Sequence, residues 1–251
     1  MNTIIQSLFE RKSVRIFTGE TIDSATKNQI LDAAIQAPTA GNLHLYSILD
    51  ITDPNLKIQL SRTCDHQDFI ASAPLVLIFC ADAQRLFDGF NRLEGITVRP
   101  CGPGDLLLAL SDALIAAQNA VVAAHSLGLG SCYIGDIIEN CEEHRKLLNL
   151  PDYVVPIGML VFGYPIQQQL TRKKPARYRR EFMVHENGYR RCDENELKRM
   201  FETQTADAGL PDVDFHETLK GIYTRKFASD FAFEMNRSAH RWLKPFLFDQ
   251  E

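Results

Sequence analysis

The sequence predicts an α+β or α/β fold with a layered sheet, and three observations carry that prediction. Residues 75–80 (LVLIFC) and 155–162 (VPIGMLVF) are short, continuous apolar runs, as expected of strands covered on both faces. Helical patterns separate the strand patterns along the chain, which places helices against the sheet. The third observation is the stretch 104–135, GDLLLALSDALIAAQNAVVAAHSLGLGSCYIG, in which residues 106–124 are nearly all Leu, Ala, Ile or Val. Its polar members Asp105, Ser111, Asp112, Gln118, Asn119, His125 and Ser126 recur at heptad spacing, so a helix gathers them into one narrow stripe. We therefore expect a central, buried helix whose repeated alanines let another helix approach closely, one from a second subunit included. Gly128 and Gly130 follow, where a left-handed residue ends a helix most easily. Asp112, Gln118 and Asn119 interrupt the roughly 20 apolar residues that a membrane span needs. A dinucleotide fingerprint is also excluded, because these glycines follow a helix and Tyr133 holds the third glycine position.

In chain order, residues 3–10 place Ile4, Ile5, Leu8 and Phe9 on one face of a short helix capped by Asn2 or Thr3. Arg11, Lys12, Ser13, Val14 and Arg15 follow, three cations and a hydroxyl that can close on an anion such as a phosphate or form a solvated basic turn. A second helix, capped by Asp23 or Ser24, runs to Ala37 and is stopped by Pro38. The loop Thr39, Ala40, Gly41, Asn42, Leu43, His44 is turn-rich and can carry ligand contacts or simply connect. Residues 46–51 read as a strand and 54–62 as a helix; between that helix and the strand at 75 lies the polar patch Asp65, His66, Gln67, Asp68. Residues 82–104, with clustered Gly and Pro, predict an irregular excursion over the surface that can act as a lid. After the central helix come a short strand at 131–134, a small helix at 140–148, the buried strand at 155–162 and a basic run over 172–180. By composition that run resembles a nucleic-acid patch, although such runs are usually solvated faces. The last 55 or so residues are mostly helical in pattern.

The totals narrow the function. A chain of 251 residues with 45% apolar content supports a sizeable core, and a net charge of -5 argues against nucleic acid as its main partner. Six cysteines without metal spacing suit reduced thiols in the cytoplasm, and the N-terminus has no signal-peptide pattern. No HExxH, GxSxG or P-loop occurs, and the seven histidines are too dispersed to suggest a metal site. Chemistry without such groups can be borrowed from an organic cofactor.

Five segments in register resemble the FMN-dependent nitroreductases. They are residues 11–17 after the opening helix, residues 37–43, Ala73-Pro74 before a buried strand, residues 128–135, and Phe162-Gly163-Tyr164-Pro165 followed by Lys174-Pro175. Residues 79–82, Ala117-Gln118-Asn119-Ala120, residues 184–187 and the helical C-terminal extension are most similar to the oxygen-insensitive, NADPH-dependent type A members and related NADPH:FMN oxidoreductases. The resemblance implies an α+β, three-layer sandwich with a central mixed sheet and a buried dimer-interface helix. It also implies an FMN-binding core over 1–190 and an extension over 191–251 that packs on the partner subunit of a homodimer. Its implied flavin ligands are Arg11, Lys12, Ser13, Arg15, Gln67, Tyr133, Ile134, Gly135, Asp136, Lys174 and Arg177, with Thr39 and Asn42 reaching the cofactor of either subunit. Arg225 and Lys226 are the candidates for the 2′-phosphate of NADPH. No catalytic side chain and no metal are implied, and the electron acceptors are small molecules rather than nucleic acid or membrane. The chain departs from the pattern at Ala176, which splits a usual Lys-Pro-Arg, at Asp136, where a second Gly is common, and at His44, a place often held by Gln.

Overall fold

The computed structural model describes residues 1–210 and 214–247. Four strands, β1 (Tyr46–Asp50), β2 (Leu75–Asp82), β3 (Gly130–Ile134) and β4 (Val154–Gly163), form one sheet in the order β1-β2-β4-β3. Every pairing between these strands is antiparallel, which corrects the expected mixed sheet; the parallel pairing seen is an isolated bridge between Ser13 and Ser131. The helices are α1 (Thr3–Glu10), α2 (Ser24–Ile35), α3 (Pro54–Thr63), α4 (Asp68–Ser72), α5 (Gln84–Phe90), α6 (Pro103–Ser126), α7 (Cys141–Leu147), α8 (Gln167–Thr171), α9 (Arg180–Met183), α10 (Glu194–Ala208), α11 (Phe215–Lys226) and α12 (Asp230–Leu243).

Strand β2 is buried along its whole length, and its two alternations serve two different cores. Leu75, Leu77 and Phe79 face the alanines of α6 and Ile30 and Ala34 of α2. Val76, Ile78 and Cys80 face Leu60 and Ile70, in the α3–α4 layer. The result is the expected three-layer arrangement, with the sheet in the middle.

The long helix α6 is buried on one face only. Ala109, Ala113, Ala116, Ala117, Ala120, Val121 and Ala124 are covered, and the helix that takes advantage of their small size is α2 of the same chain. Leu107, Leu108, Leu114 and Ile115 on its other side are exposed, as are Ile4, Ile5, Leu8 and Phe9 of α1. By length and composition α6 could cross a membrane, yet its alanine face is fixed against the sheet. Two of the heptad polar residues tie α6 to neighbouring segments: Asp112 accepts from the backbone N–H groups of Ala40 (2.8 Å) and Leu45 (3.1 Å), and Asn119 donates to Ala33 O at 3.2 Å, while Ser111, Gln118 and Ser126 are exposed.

Residues 91–102 carry neither helix nor strand, as expected of an irregular excursion, whereas most of the remainder of 82–104 is regular. Asp82 still belongs to β2, and α5 forms because Phe87 is buried against Phe90 and Tyr153. Caps are largely where the side chains predict them: Asn2 accepts from Ile5 N–H at 2.9 Å and Asp23 from Thr26 N–H at 2.7 Å.

The chain forms two compact units. One compact unit is Met1–Arg172 together with the chain from Glu234 on, and a second is Lys173–Phe233. The late segment belongs to the first unit because Trp242 and Phe246 enter its core, Trp242 donating from Nε1 to Ile138 O at 2.8 Å. Arg237 adds a bidentate pair with Glu142 and a contact with Glu234. Residues 211–213 and 248–251 of the expected extension lie outside the described residues. Within the second unit, Tyr178 meets Phe201 edge to face, Phe201 meets Phe215 at a tilt, and Arg179 forms a bidentate pair with Asp207.

Residues 13–17 lie across the ends of β3 and β4. Val14 N–H donates to Ser131 O at 2.8 Å and Thr18 N–H to Tyr164 O at 2.9 Å. Gly130 and Gly163 are register partners in β3 and β4; a Cβ on Gly130 would lie 2.6 Å from Val14, and one on Gly163 would lie 2.6 Å from Phe17. Only glycine allows that approach. In denaturant titrations Gly130→Ala should therefore lower the unfolding free energy by about 1–3 kcal/mol, while Gly135→Ala, where a Cβ meets nothing, should change it by less than about 0.5 kcal/mol.

Candidate functional site

The loop that follows α1 sits against the end of β3, and two further segments join it there. Arg11 places its guanidinium 5.9 Å from the centre of the Tyr133 ring, and Arg15 lies 6.0 Å from that of Phe69. Ser13 bridges to Ser131 on β3. The side chains of Gln67 and Asp136 meet directly, Nε2 donating to Oδ2 at 3.0 Å. Six of the residues expected around a ligand are thus paired or in contact at the end of β3: Arg11 with Tyr133, Ser13 and Arg15 with their neighbours, and Gln67 with Asp136. Ile134, buried, and Gly135 continue β3 into the turn that begins at Asp136.

Arg11 is the most informative of them. Its Nε and Nη2 are buried and have no hydrogen-bond partner within the protein. Buried donors left unmet are costly unless something outside the chain accepts from them, and for a guanidinium a phosphate or another anion is the natural acceptor. Beside it, Tyr133 has its phenol pushed up to about 12, chiefly by burial, and bonds Gln118 at 3.3 Å.

Lys12 is held by the chain itself. Its ammonium donates to the carbonyls of Leu170, at 2.6 Å, and Arg172 at the end of α8, while Arg172 in turn donates to Ser13 O. Lys12 therefore ties the loop to the start of the basic run. Lys174 and Arg177 lie in the second unit, where Arg177 donates to Pro175 O at 3.3 Å. Arg225 and Lys226, also in that unit, are exposed in the last turn of α11.

Thr39 and Asn42 occupy a separate loop at α6. Thr39 accepts from His44 N–H at 3.3 Å, and Gly41, Asn42 and His44 all have positive φ. Asn42 and His44 carry side chains in that left-handed region, which costs energy and is held by the Asp112 anchor. Asp65 and His66, immediately before Gln67, show the same feature with φ of 57° and 51°.

Three contributors escaped sequence reasoning. Asp112 was visible as a charge in an apolar helix, but its backbone partners are distant in sequence. Phe69 lies under Arg15 with no local signal. Glu139 is 94% buried, its Oε1 has no partner, and its carboxyl is pushed up to about 7 by burial and then by the charges of Asp136, Asp65 and Glu234. His144 nearby is fully buried, its basicity lowered by desolvation, and is fixed by Ile137 O and Thr63 Oγ1.

The Nitroreductase family model matches residues 8–164. The chain is 36% identical over 210 residues to an oxygen-insensitive NADPH nitroreductase of Salmonella typhimurium, covering 82% of each protein. It is 34% identical over 195 residues to an FMN reductase [NAD(P)H] of Bacillus subtilis, covering 77% of each. Its fold matches the NADPH:FMN oxidoreductase of Vibrio harveyi, solved in complex with NAD+, with a TM-score of 0.80 and 26% identity over 96% of this chain and 98% of that one.

The raised carboxyl of Glu139 fixes a pH dependence. Because its folded-state value lies above the unfolded one, its stabilising share is complete at low pH and is lost as pH rises through about 7. Glu139→Gln should therefore be more stable than the parent at about pH 8.5, by ~1–2 kcal/mol, with the gap narrowing toward about pH 5. Chemical denaturation across that range measures it.

Proposed function

The chain belongs to the nitroreductase family, and from that premise we propose that it is an FMN-dependent NADPH oxidoreductase reducing nitroaromatics, quinones or free flavins by two-electron ping-pong transfer. The single observation that carries the reading is Arg11, whose buried Nε and Nη2 have no protein acceptor and suit an anionic cofactor at the end of β3. FMN, when bound, supplies the redox chemistry, accepting hydride from NADPH and releasing two electrons to the second substrate.

The protein's part is to bind and orient. Arg11, Ser13 and Arg15 offer cationic and hydroxyl donors suited to a phosphate, and Lys12 keeps their loop in place through the carbonyls it holds. Gln67, Tyr133, Ile134, Gly135 and Asp136 border the place of the flavin ring. Positive charge at the loop also favours the reduced, more negative cofactor. For Lys174 and Arg177 as flavin ligands, and for Arg225 and Lys226 toward NADPH, the support is sequence resemblance alone.

The apolar face left open on α1 and α6 supports a homodimer, with a second copy covering Leu107, Leu108, Leu114 and Ile115. Thr39 and Asn42, beside α6, then contribute to a flavin of either subunit. Six free cysteines support a reducing, cytoplasmic setting.

The purified protein should be yellow, and NADPH should bleach it under anaerobic conditions. Arg11→Ala should weaken FMN binding at least ~10-fold in a fluorescence titration. A colourless protein that takes up no FMN overturns the reading, and bound FMN that NADPH leaves oxidised reduces it to a flavin-binding sensor. Steady-state rates with nitrofurazone, a quinone and free FMN then rank the acceptors, a clear preference for free FMN marking a flavin reductase. Leu108→Glu combined with Ile115→Glu should give a monomer by light scattering.

A further inference from the structure

Gln67 is held by its backbone and by both donors of its side chain. Its N–H donates to Ser61 O at 3.0 Å, and its carbonyl accepts from Ser61 Oγ at 3.1 Å and from Ile70 N–H at 3.0 Å. The preceding residues, Asp65 and His66, are both left-handed, so the turn that presents Gln67 is strained and set in one conformation. At the end of its side chain, Nε2 donates to Cys64 O at 2.9 Å and to Asp136 Oδ2 at 3.0 Å.

A primary amide has two N–H donors and one carbonyl acceptor. Cys64 O and the Asp136 carboxylate are both acceptors, so the opposite placement of nitrogen and oxygen would set Oε1 against two other oxygens. Both donors of Gln67 are consequently spent on the protein, and Oε1 is the group left for a ligand. Asp136 is itself fixed: it opens the turn Asp136–Ile138, its carbonyl accepts from Glu139 N–H at 3.0 Å, and Asn140 Nδ2 ties the following residue pair to Thr63 O at 2.8 Å. Thr63 ends the helix from which Cys64 and Gln67 continue, so the two partners of the 3.0 Å bond are braced against each other.

We infer that Asp136 is a positioning residue that locks the Gln67 amide with its oxygen toward the cofactor, so that Gln67 acts as a hydrogen-bond acceptor for a ring N–H. In oxidised flavin the only such group is the imide N3–H, and the pair thereby selects an unsubstituted imide edge. This rests on the reading that the chain holds FMN. It adds a role for Asp136 that needs no contact between its carboxylate and the cofactor.

The test is a double-mutant cycle on FMN affinity, with Gln67→Met and Asp136→Ala made singly and together in the full-length protein, and Asp136→Asn as the conservative variant. Asp136→Ala should raise the Kd for FMN ~10-fold in the parent and less than ~2-fold in the Gln67→Met background. Asp136→Asn keeps an acceptor oxygen and should stay within ~3-fold of the parent. N3-methyl-FMN should bind the parent ~10-fold more weakly than FMN does, a discrimination that should collapse in Asp136→Ala. Equal losses in both backgrounds, a loss in Asp136→Asn as large as in Asp136→Ala, or parent protein that accepts N3-methyl-FMN as well as FMN would each overturn the assignment. The ligand-free protein gives an independent readout. Side-chain amide NMR should show slow exchange of the Gln67 Nε2 protons in the parent and Asp136→Asn, and fast exchange in Asp136→Ala. Slow exchange in all three rejects the lock. Failure of the parent to bind FMN instead rejects the proposed function, while the amide measurement still decides the orientation.

Discussion

The arrangement of the site depends on a backbone approach that only two glycines permit. Residues 13–17 cross the ends of β3 and β4 at a distance where a methyl group on Gly130 or Gly163 would overlap Val14 or Phe17. The approach lets Val14 hydrogen-bond Ser131 and brings Arg11 against Tyr133. A cationic loop on a free tether would be solvated and weakly selective. Fixed over a sheet end, the same loop leaves two guanidinium nitrogens of Arg11 buried without a protein acceptor. Such donors are costly until an acceptor from outside the chain meets them, so the packing of two glycines is linked to the polarity of the loop above them.

Around this loop the fold places polar groups where a simple core would have none. Asp112, 2% exposed, holds the Thr39–His44 loop through two backbone N–H groups. Asp136 holds Gln67, and Glu139 lies buried behind it with an oxygen left over. Burying Asp112 and Glu139 is expensive, and the loops at Asn42 and His44 and at Asp65 and His66 carry left-handed residues whose strain is held in short anchored turns.

Much of this was legible in the sequence, and the parts that were not share a physical cause. Local signals located α1 with its Asn2 cap, α2 with its Asp23 cap, the buried strands β2 and β4, and the glycines that follow α6. The cationic loop could be read because three charges and a hydroxyl in five residues are a local pattern. Strand direction could not, since it depends on how connections hundreds of atoms long return to the sheet, and the expected mixed sheet is antiparallel between its strands. The place of the last helix was hidden for a similar reason: Trp242 and Phe246 return to a core built by the first half of the chain. Helix α5 was hidden by flanking Gly and Pro, although Phe87 supplies the burial that stabilises it. In each of these cases the deciding partner is remote in sequence.

Helix α6 shows why composition alone gave the right element and an incomplete account of it. Alanine and leucine both score as apolar, yet they divide between two faces with different tasks. The alanine face, with its small side chains, allows α2 and the sheet to come close and fills their gaps, while Leu107, Leu108, Leu114 and Ile115 are left bulky and exposed. Bulky residues are inefficient at bringing backbones together and efficient at burying area, at about 25 cal/mol per Å². The division therefore suits a helix that packs tightly within its own chain and broadly against another surface. The polar residues beside the alanine face include Asp112 and Asn119, so the helix that exposes the leucines also positions the loop of Thr39 and Asn42, through Asp112, and holds α2 through Asn119.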